Sequence, residues 1–409
     1  MSILQSSFTL PNGSVLANRM AKSAMSENMA DANHAPNELY MNAYRTWAQG
    51  GAGLIITGNV MIDERALGEP KNVVVEDKRH FELLQRWAAT AKATNTHLWP
   101  QINHPGRQAV GLLNQEVVAP SPIPVKVPRM EFMFKTPRAL EEQEILEIIE
   151  RYGNTALILK EAGFTGVQIH GAHGYLVSQF LSPRTNIRKD RWGGSLENRA
   201  RFLLEVYRTI RKKVGPDFPV GIKINSADFQ RGGFTEEESM EVVQMISNEA
   251  IDLIEISGGT YEKASMMGDG QKQSTREREA YFLEYIEKIR NLTDIPLMLT
   301  GGFRSKSVME QAIAEGKLDI IGLARPFAVY PNLVNELFSG KRTEVHITPP
   351  KFGVAALDAQ TGLELFWFEY QIRTLGLGKT PNPKLSPYRA FSHNFGGIMR
   401  KWVNQRFGI

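Results

Sequence analysis

Two imidazoles and a phenol stand within six residues of one another, as His170, His173 and Tyr175 in the run Ile169-His170-Gly171-Ala172-His173-Gly174-Tyr175-Leu176. Imidazoles three residues apart can converge on one oxygen as hydrogen-bond donors, which polarises a carbonyl or nitro group as negative charge develops on it. A tyrosine of ordinary pKa, near 10, keeps its proton at neutral pH and can deliver it to a carbanion. The same spacing also suits two ligands of a metal, although the sequence offers no evident third, or a loop tied down by its own histidines.

A second cluster is built for an anion. Thr300-Gly301-Gly302-Phe303-Arg304 and Gly322-Leu323-Ala324-Arg325-Pro326 each close an apolar run. Glycine and alanine let backbone N–H groups approach a phosphate closely, and an arginine adds paired donors. Lys223 sits in the run Val220–Asn225, where alternation turns it inward, and a buried cation needs an anionic partner or a shifted pKa. It fits as counter-charge to a bound anionic cofactor, as a Schiff-base nucleophile, or as half of an ion pair with a carboxylate inside the fold. Gln101, in the run His97–Asn103, offers an amide to a heterocycle.

These residues need a frame. Short β-branched or apolar runs recur at Arg19–Ala24, Gly53–Gly58, His97–Asn103, Gly166–His170, Val220–Asn225, Leu253–Ser257, Leu297–Thr300 and Asp319–Leu323. Amphipathic segments fall between and after them, at Asn37–Gln49, Lys78–Ala93, Glu141–Ala162, Leu196–Val214, Glu236–Glu249, Glu277–Asn291, Lys306–Glu315 and Pro331–Phe338. Thr235 with Glu238 three residues on is a capping-box signal for one of them. Eight strand–helix pairs, with no dinucleotide glycine fingerprint after the first strand, predict an α/β fold of the (β/α)8 TIM-barrel type. Such barrels carry their chemistry on the loops after the strands. Two of those loops are long, residues 104–140 with six prolines and residues 171–194, and are expected to wall the site. Residues 1–345 are read as the barrel and 346–409 as an extension bearing Phe366-Trp367-Phe368 and Tyr370. The extension is expected to pack on the barrel wall, to form an oligomer contact or to cover the site.

Bulk composition narrows the chemistry. The 409 residues are 42% hydrophobic, enough for a large core in one domain. A net charge of +4 without a basic block makes nucleic acid a poor partner, while a small anion remains a good one. With no cysteine there is no Fe–S cluster or thiolate zinc, and redox chemistry falls to an organic cofactor. No metal site, membrane segment or signal peptide is expected, and the reading is of a cytoplasmic protein.

Taken together the residues resemble the Old Yellow Enzyme family of NADH:flavin oxidoreductases, from about Leu16 to Tyr330. The run from Ile169 to Leu176 carries most of the resemblance, continued by Gln179-Phe180-Leu181-Ser182-Pro183, Asn186, Arg188, Asp190, Gly193-Gly194-Ser195 and Glu197-Asn198-Arg199. Asn18-Arg19, His104-Pro105-Gly106-Arg107-Gln108 and Ala119-Pro120-Ser121 support it. The resemblance implies tightly bound FMN, reduced by NADH or NADPH, and an electrophilic alkene or related small-molecule acceptor. It places Ala24, Met25, Ser26, Gly58 and Gln101 at the isoalloxazine ring, with Ser26 near its O4 and N5. Lys223 falls beside N1 and O2, and Gly301, Gly302, Ala324 and Arg325 fall at the phosphate. His170 and His173 then hold the substrate oxygen, and Tyr175 gives the proton. The chain departs from the family pattern in carrying Lys223 for a common arginine, Ala24 for a proline and Trp192 for a tyrosine. Two readings compete with this ene-reductase: a Schiff-base aldolase acting through Lys223 on a phosphorylated substrate, and a flavin-binding sensor without turnover.

Overall fold

A computed structural model of the chain describes residues 2–127, 131–257, 283–345, 347–348, 350–354 and 362–393. Eight parallel strands form its centre: β1 (Met20–Lys22), β2 (Leu54–Met61), β3 (His97–Asn103), β4 (Val167–Gly171), β5 (Val220–Asn225), β6 (Leu253–Ser257), β7 (Leu297–Thr300) and β8 (Ile320–Leu323). Each pairs with its sequence neighbours, and β8 returns to β1 through Ile321↔Met20 and Leu323↔Lys22, closing the expected barrel. The bounds of β3, β5, β6 and β7 are those read from the sequence, whereas β2 runs on to Met61 through a register irregularity between Ile56 and Asn59.

Helices cover the outside: α1 (Glu38–Gln49), α2 (Phe81–Ala88), α3 (Glu142–Glu161), α4 (Leu176–Leu181), α5 (Leu196–Val214), α6 (Glu236–Ser247), α7 (residues 283–290), α8 (Lys306–Ala314), α9 (Arg325–Val329), α10 (Leu333–Phe338) and α11 (Gly362–Gly376). The first residues expected in the seventh helix, from Glu277, lie outside the described residues. The expected capping box of α6 is present: the Thr235 hydroxyl accepts from the Glu238 N–H and the Glu238 carboxylate from the Thr235 N–H. In α5, Leu196, Ala200, Leu203, Tyr207, Ile210 and Val214 recur at helical spacing and are buried, while Arg211, Lys212 and Lys213 occupy the last turn, where the helix dipole favours cations. Among the described residues no helix is long and apolar enough to cross a membrane.

Strand alternation sorts the core into two. Outward residues such as Ile102, Ile169, Ile222, Ile224 and Ile254 meet the helices. Inward residues at the amino end, Leu54, Ile56, Trp99, Leu253, Met298 and Ile320, pack with Leu10 and Leu16 from an antiparallel hairpin (Phe8–Thr9 with Val15–Leu16) that plugs this end. Above them the inward positions turn polar. The two long loops close over this polar end and are clamped together. Gln179 donates to the carbonyls of Pro105 (2.9 Å) and Gly174 (2.7 Å) and accepts from the Arg107 N–H (3.1 Å). The extension helix α11 packs on α1 and α9, with Trp367 and Ile372 buried and Asn42 Nδ2 donating to the Gly376 carbonyl (3.1 Å).

Candidate active site

Four neighbouring strands end in polar residues two apart, so that both members of each pair point into the barrel mouth. The pairs are Gln101 and Asn103 on β3, Gln168 and His170 on β4, Lys223 and Asn225 on β5, and Glu255 and Ser257 on β6; all eight are buried. The lower members form one chain of bonds. Gln101 Nε2 donates to Gln168 Oε1 (2.7 Å), Gln168 Nε2 to Glu255 Oε2 (2.6 Å), and Lys223 Nζ stands 2.9 Å from Glu255 Oε1. Lys223 therefore has the carboxylate partner that a buried ammonium demands, one of its three expected roles.

The upper members position the histidines. Register sets His170 beside Lys223. His170 Nδ1 accepts from the Ala172 N–H (3.3 Å), which leaves Nε2 as the protonated nitrogen of the neutral ring. His173 takes a left-handed backbone, φ 60°, uncommon for a residue with a side chain and suited to a residue held for function. Its N–H donates to Asn225 Oδ1 (3.1 Å), its carbonyl accepts from Gln108 Nε2 (3.1 Å), and its Nε2 lies 2.8 Å from the Ser257 hydroxyl. The two imidazole centroids are 5.1 Å apart and nearly perpendicular. Burial, first, and then the neighbouring charges, with Lys223 common to both rings, hold each imidazole well below its ordinary pKa, so both are neutral donors at physiological pH. Tyr175 packs on His170 with centroids 4.7 Å apart, and Asn59 Nδ2 lies 3.4 Å from its hydroxyl. The structure thus brings His170, His173, Tyr175, Lys223 and Gln101 to one end of the barrel.

The remaining candidates ring the same mouth. The loop after β1 carries Ala24, Met25 and Ser26 over Gly58 at the irregularity in β2, where a Cβ on Gly58 would stand 2.4 Å from the Met25 carbonyl oxygen. Any other residue there would push the loop away. Ser26 Oγ donates or accepts between Glu69 Oε1 and Glu369 Oε1, the latter at 2.8 Å. Ser23 Oγ and Thr300 Oγ1, 2.6 Å apart, tie this loop to the loop after β7. Gly301 and Gly302 both have positive φ, 116° and 85°, and a Cβ on Gly301 would meet nothing within 4 Å, leaving space for an anion over the backbone. Ala324 immediately precedes α9, and Arg325 makes a loose, half-exposed contact with Glu364 of α11 (3.7 Å) and lies 6.0 Å from the Phe368 ring. So loose an ion pair costs little to exchange for a bound anion.

Sequence reasoning missed Asn59, Asn103, Gln168, Glu255, Ser257, Glu69 and Glu369. For Asn103, Gln168 and Ser257 the signal was in plain view: polar residues every second position at the carboxyl end of otherwise apolar strands. Two of them also test whether a polar cofactor fits. Both polar atoms of the Asn103 amide, and the Asn59 oxygen, are buried without a hydrogen-bond partner. Such orphans cost stability unless something polar is received there, so the mouth is suited to a heterocycle with donors and acceptors on its edge.

Comparison with known proteins gives the family and the fold. Residues 7–344 match the model of the NADH:flavin oxidoreductase / NADH oxidase family. NADH-dependent flavin oxidoreductase nadA of Aspergillus parasiticus is 38% identical over 338 residues, 79% of this chain and 76% of that protein. NADH-dependent flavin oxidoreductase iccE of Talaromyces variabilis is 34% identical over 406 residues, 91% of this chain and 98% of that protein. A match covering 91% of the chain must run beyond residue 344 and into α11. In fold, the old yellow enzyme homologue of Zymomonas mobilis superposes with a TM-score of 0.71 at 24% identity, over 83% of this chain and 93% of that one.

Proposed function

The chain belongs to the NADH:flavin oxidoreductase / NADH oxidase family, that of the Old Yellow Enzymes, and is thus an FMN-dependent NAD(P)H oxidoreductase; within that activity we propose that it reduces activated C=C bonds. The observation that carries the proposal is the packing of two neutral imidazoles and a tyrosine hydroxyl at one end of the barrel.

Ala24, Met25, Ser26, Gly58 and Gln101 would hold the flavin ring, Lys223 its pyrimidine edge, and Gly301, Gly302, Ala324 and Arg325 its phosphate. When bound, FMN supplies the hydride that NAD(P)H has delivered to it. The protein's own part is positional and electrostatic. His170 and His173 donate to the carbonyl or nitro oxygen of the acceptor. Held neutral, each ring still has one N–H with which to stabilise the charge that develops there. Tyr175 protonates the α-carbon, and the Asn59 amide, 3.4 Å from its hydroxyl, keeps that hydroxyl directed into the mouth. The two clamped loops exclude water from the acceptor. Lys223 is already engaged by Glu255 at 2.9 Å, and the family match is to flavin oxidoreductases, so the aldolase reading loses its support.

Two measurements test the proposal. Purified protein should be yellow, and denaturation should release FMN at about one per chain. In anaerobic stopped flow, Tyr175→Phe should leave flavin reduction by NAD(P)H intact while slowing reoxidation by an enone about a hundredfold or more, as loss of a general acid does. Equal slowing of the two half-reactions would remove Tyr175 from the proton step.

A further inference from the structure

The Ser26 hydroxyl lies between two carboxylates, Glu69 Oε1 on the loop after β2 and Glu369 Oε1 on α11, within hydrogen-bond distance of both. Each contact requires a hydrogen. The hydroxyl supplies one and ionised carboxylates supply none, so one of the two acids carries a proton. The second oxygens are held too: Glu69 Oε2 accepts from Asn72 Nδ2 at 3.0 Å, in a turn where Asn72 Oδ1 also binds the N–H groups of Gly68 and Glu69, and Glu369 Oε2 faces Asn28 Nδ2 at 3.4 Å. The two acids therefore keep one proton between them across Ser26.

We propose that Glu369, carried on the extension, is a positioning residue of the active site: sharing one proton with Glu69 across Ser26, it fixes the Ser26 hydroxyl and fastens α11 to the loop after β1. The proposal rests on the reading above that Ser26 adjoins the flavin. The barrel and its extension then form one site, completed from the far end of the chain. Of the titratable groups facing the cluster, Glu69 from the β2 loop is itself raised by burial, Tyr40 from α1 is pushed well up by burial and by the nearby carboxylates, and Glu27 from the β1 loop pairs with Lys22 at 3.9 Å. Burial, with Glu69 second, raises the Glu369 carboxyl to about 8. Above that pH two carboxylates would face one another across Ser26, and the repulsion would loosen both the hydroxyl and the helix.

The test uses the full-length holoenzyme, wild type beside Glu369→Gln and Glu369→Ala. The visible flavin spectrum, and hydrogen exchange across residues 362–376, are followed from pH 6 to pH 10. In the wild type both readouts should step near pH 8, with the protection factor of the helix, exchange corrected for its intrinsic rise with pH, falling about tenfold. Glu369→Gln stays neutral throughout and can donate through its amide, so it should keep the low-pH spectrum and protection to pH 10. Glu369→Ala should show the loosened state at every pH. A step that persists in Glu369→Gln overturns the proposal, as does a wild type without one. A step in exchange that leaves the flavin spectrum unmoved also overturns the positioning role. A protein that binds no flavin fails at the outset and refutes the placement of Ser26 instead, a result separate from all of these.

Discussion

Two strands, β3 and β6, supply both ends of the barrel interior from positions two or four residues apart, and the ends are filled in opposite ways. At the amino end Leu54, Ile56, Trp99, Leu253, Met298 and Ile320 meet the hairpin in a dry, fully buried layer. At the carboxyl end the inward positions are amides, an imidazole, an ion pair and a hydroxyl, some of them buried without partners. The dry layer gains free energy from every contact. The polar layer spends it, because desolvated amides cost about 1–3 kcal/mol each when left unsatisfied. The comparison shows where stability and function reside in this fold: the barrel is held by its base so that its mouth can remain incompletely satisfied until a ligand arrives.

Breaking the base should have the largest effect. Trp99→Ala empties the centre of the dry layer and should destabilise the fold by about 3–5 kcal/mol, read by thermal or urea unfolding. The variant's neutral-donor chemistry should survive at low temperature, and a stable Trp99→Ala would show that the base does not carry the barrel. At the mouth, replacing both His170 and His173 by alanine should weaken phenolate ligands by about tenfold to a hundredfold, in keeping with about 1–3 kcal/mol for lost hydrogen bonds to charge. Unchanged affinity by flavin-band titration would take the pair out of the site. The smallest and most discriminating change is Asn103→Leu. Removing an orphaned amide of similar size should stabilise the flavin-free protein by up to about 1 kcal/mol while weakening whatever the mouth binds. Destabilisation instead would mean that Asn103 is satisfied within the protein.

Much of this architecture is legible in the sequence, because parallel barrel strands are buried on both faces and stand out as apolar runs between amphipathic helices. The runs that form β3, β5, β6 and β7 have clear edges, set by Asn103, Asn225, Ser257 and Thr300. The histidines and Tyr175 are legible because core packing alone seldom gathers two imidazoles and a phenol into one short run at the end of an apolar strand. Glu255 is not, since a single acid in an apolar strand says nothing of its partner until register sets it beside Lys223. Glu369 is still less visible. It lies in an aromatic stretch, and only the docking of α11 on α1, a contact between distant parts of the chain, turns its carboxyl toward Ser26.

Closure of the barrel joins Met20 to Ile321, about 300 residues later. A ribosome adding about 5–20 residues per second spends some 15–60 s between them, and during that interval the edge of β1 has no β8 to pair with. The loop after β1 is equally unfinished, since Ser23 waits for Thr300 and Ser26 for Glu369. On the proposed placement of the flavin, loading it is a late step in the life of the newly made chain, and a cell that interrupts translation before Leu323 is left with an open sheet edge that invites association with other chains.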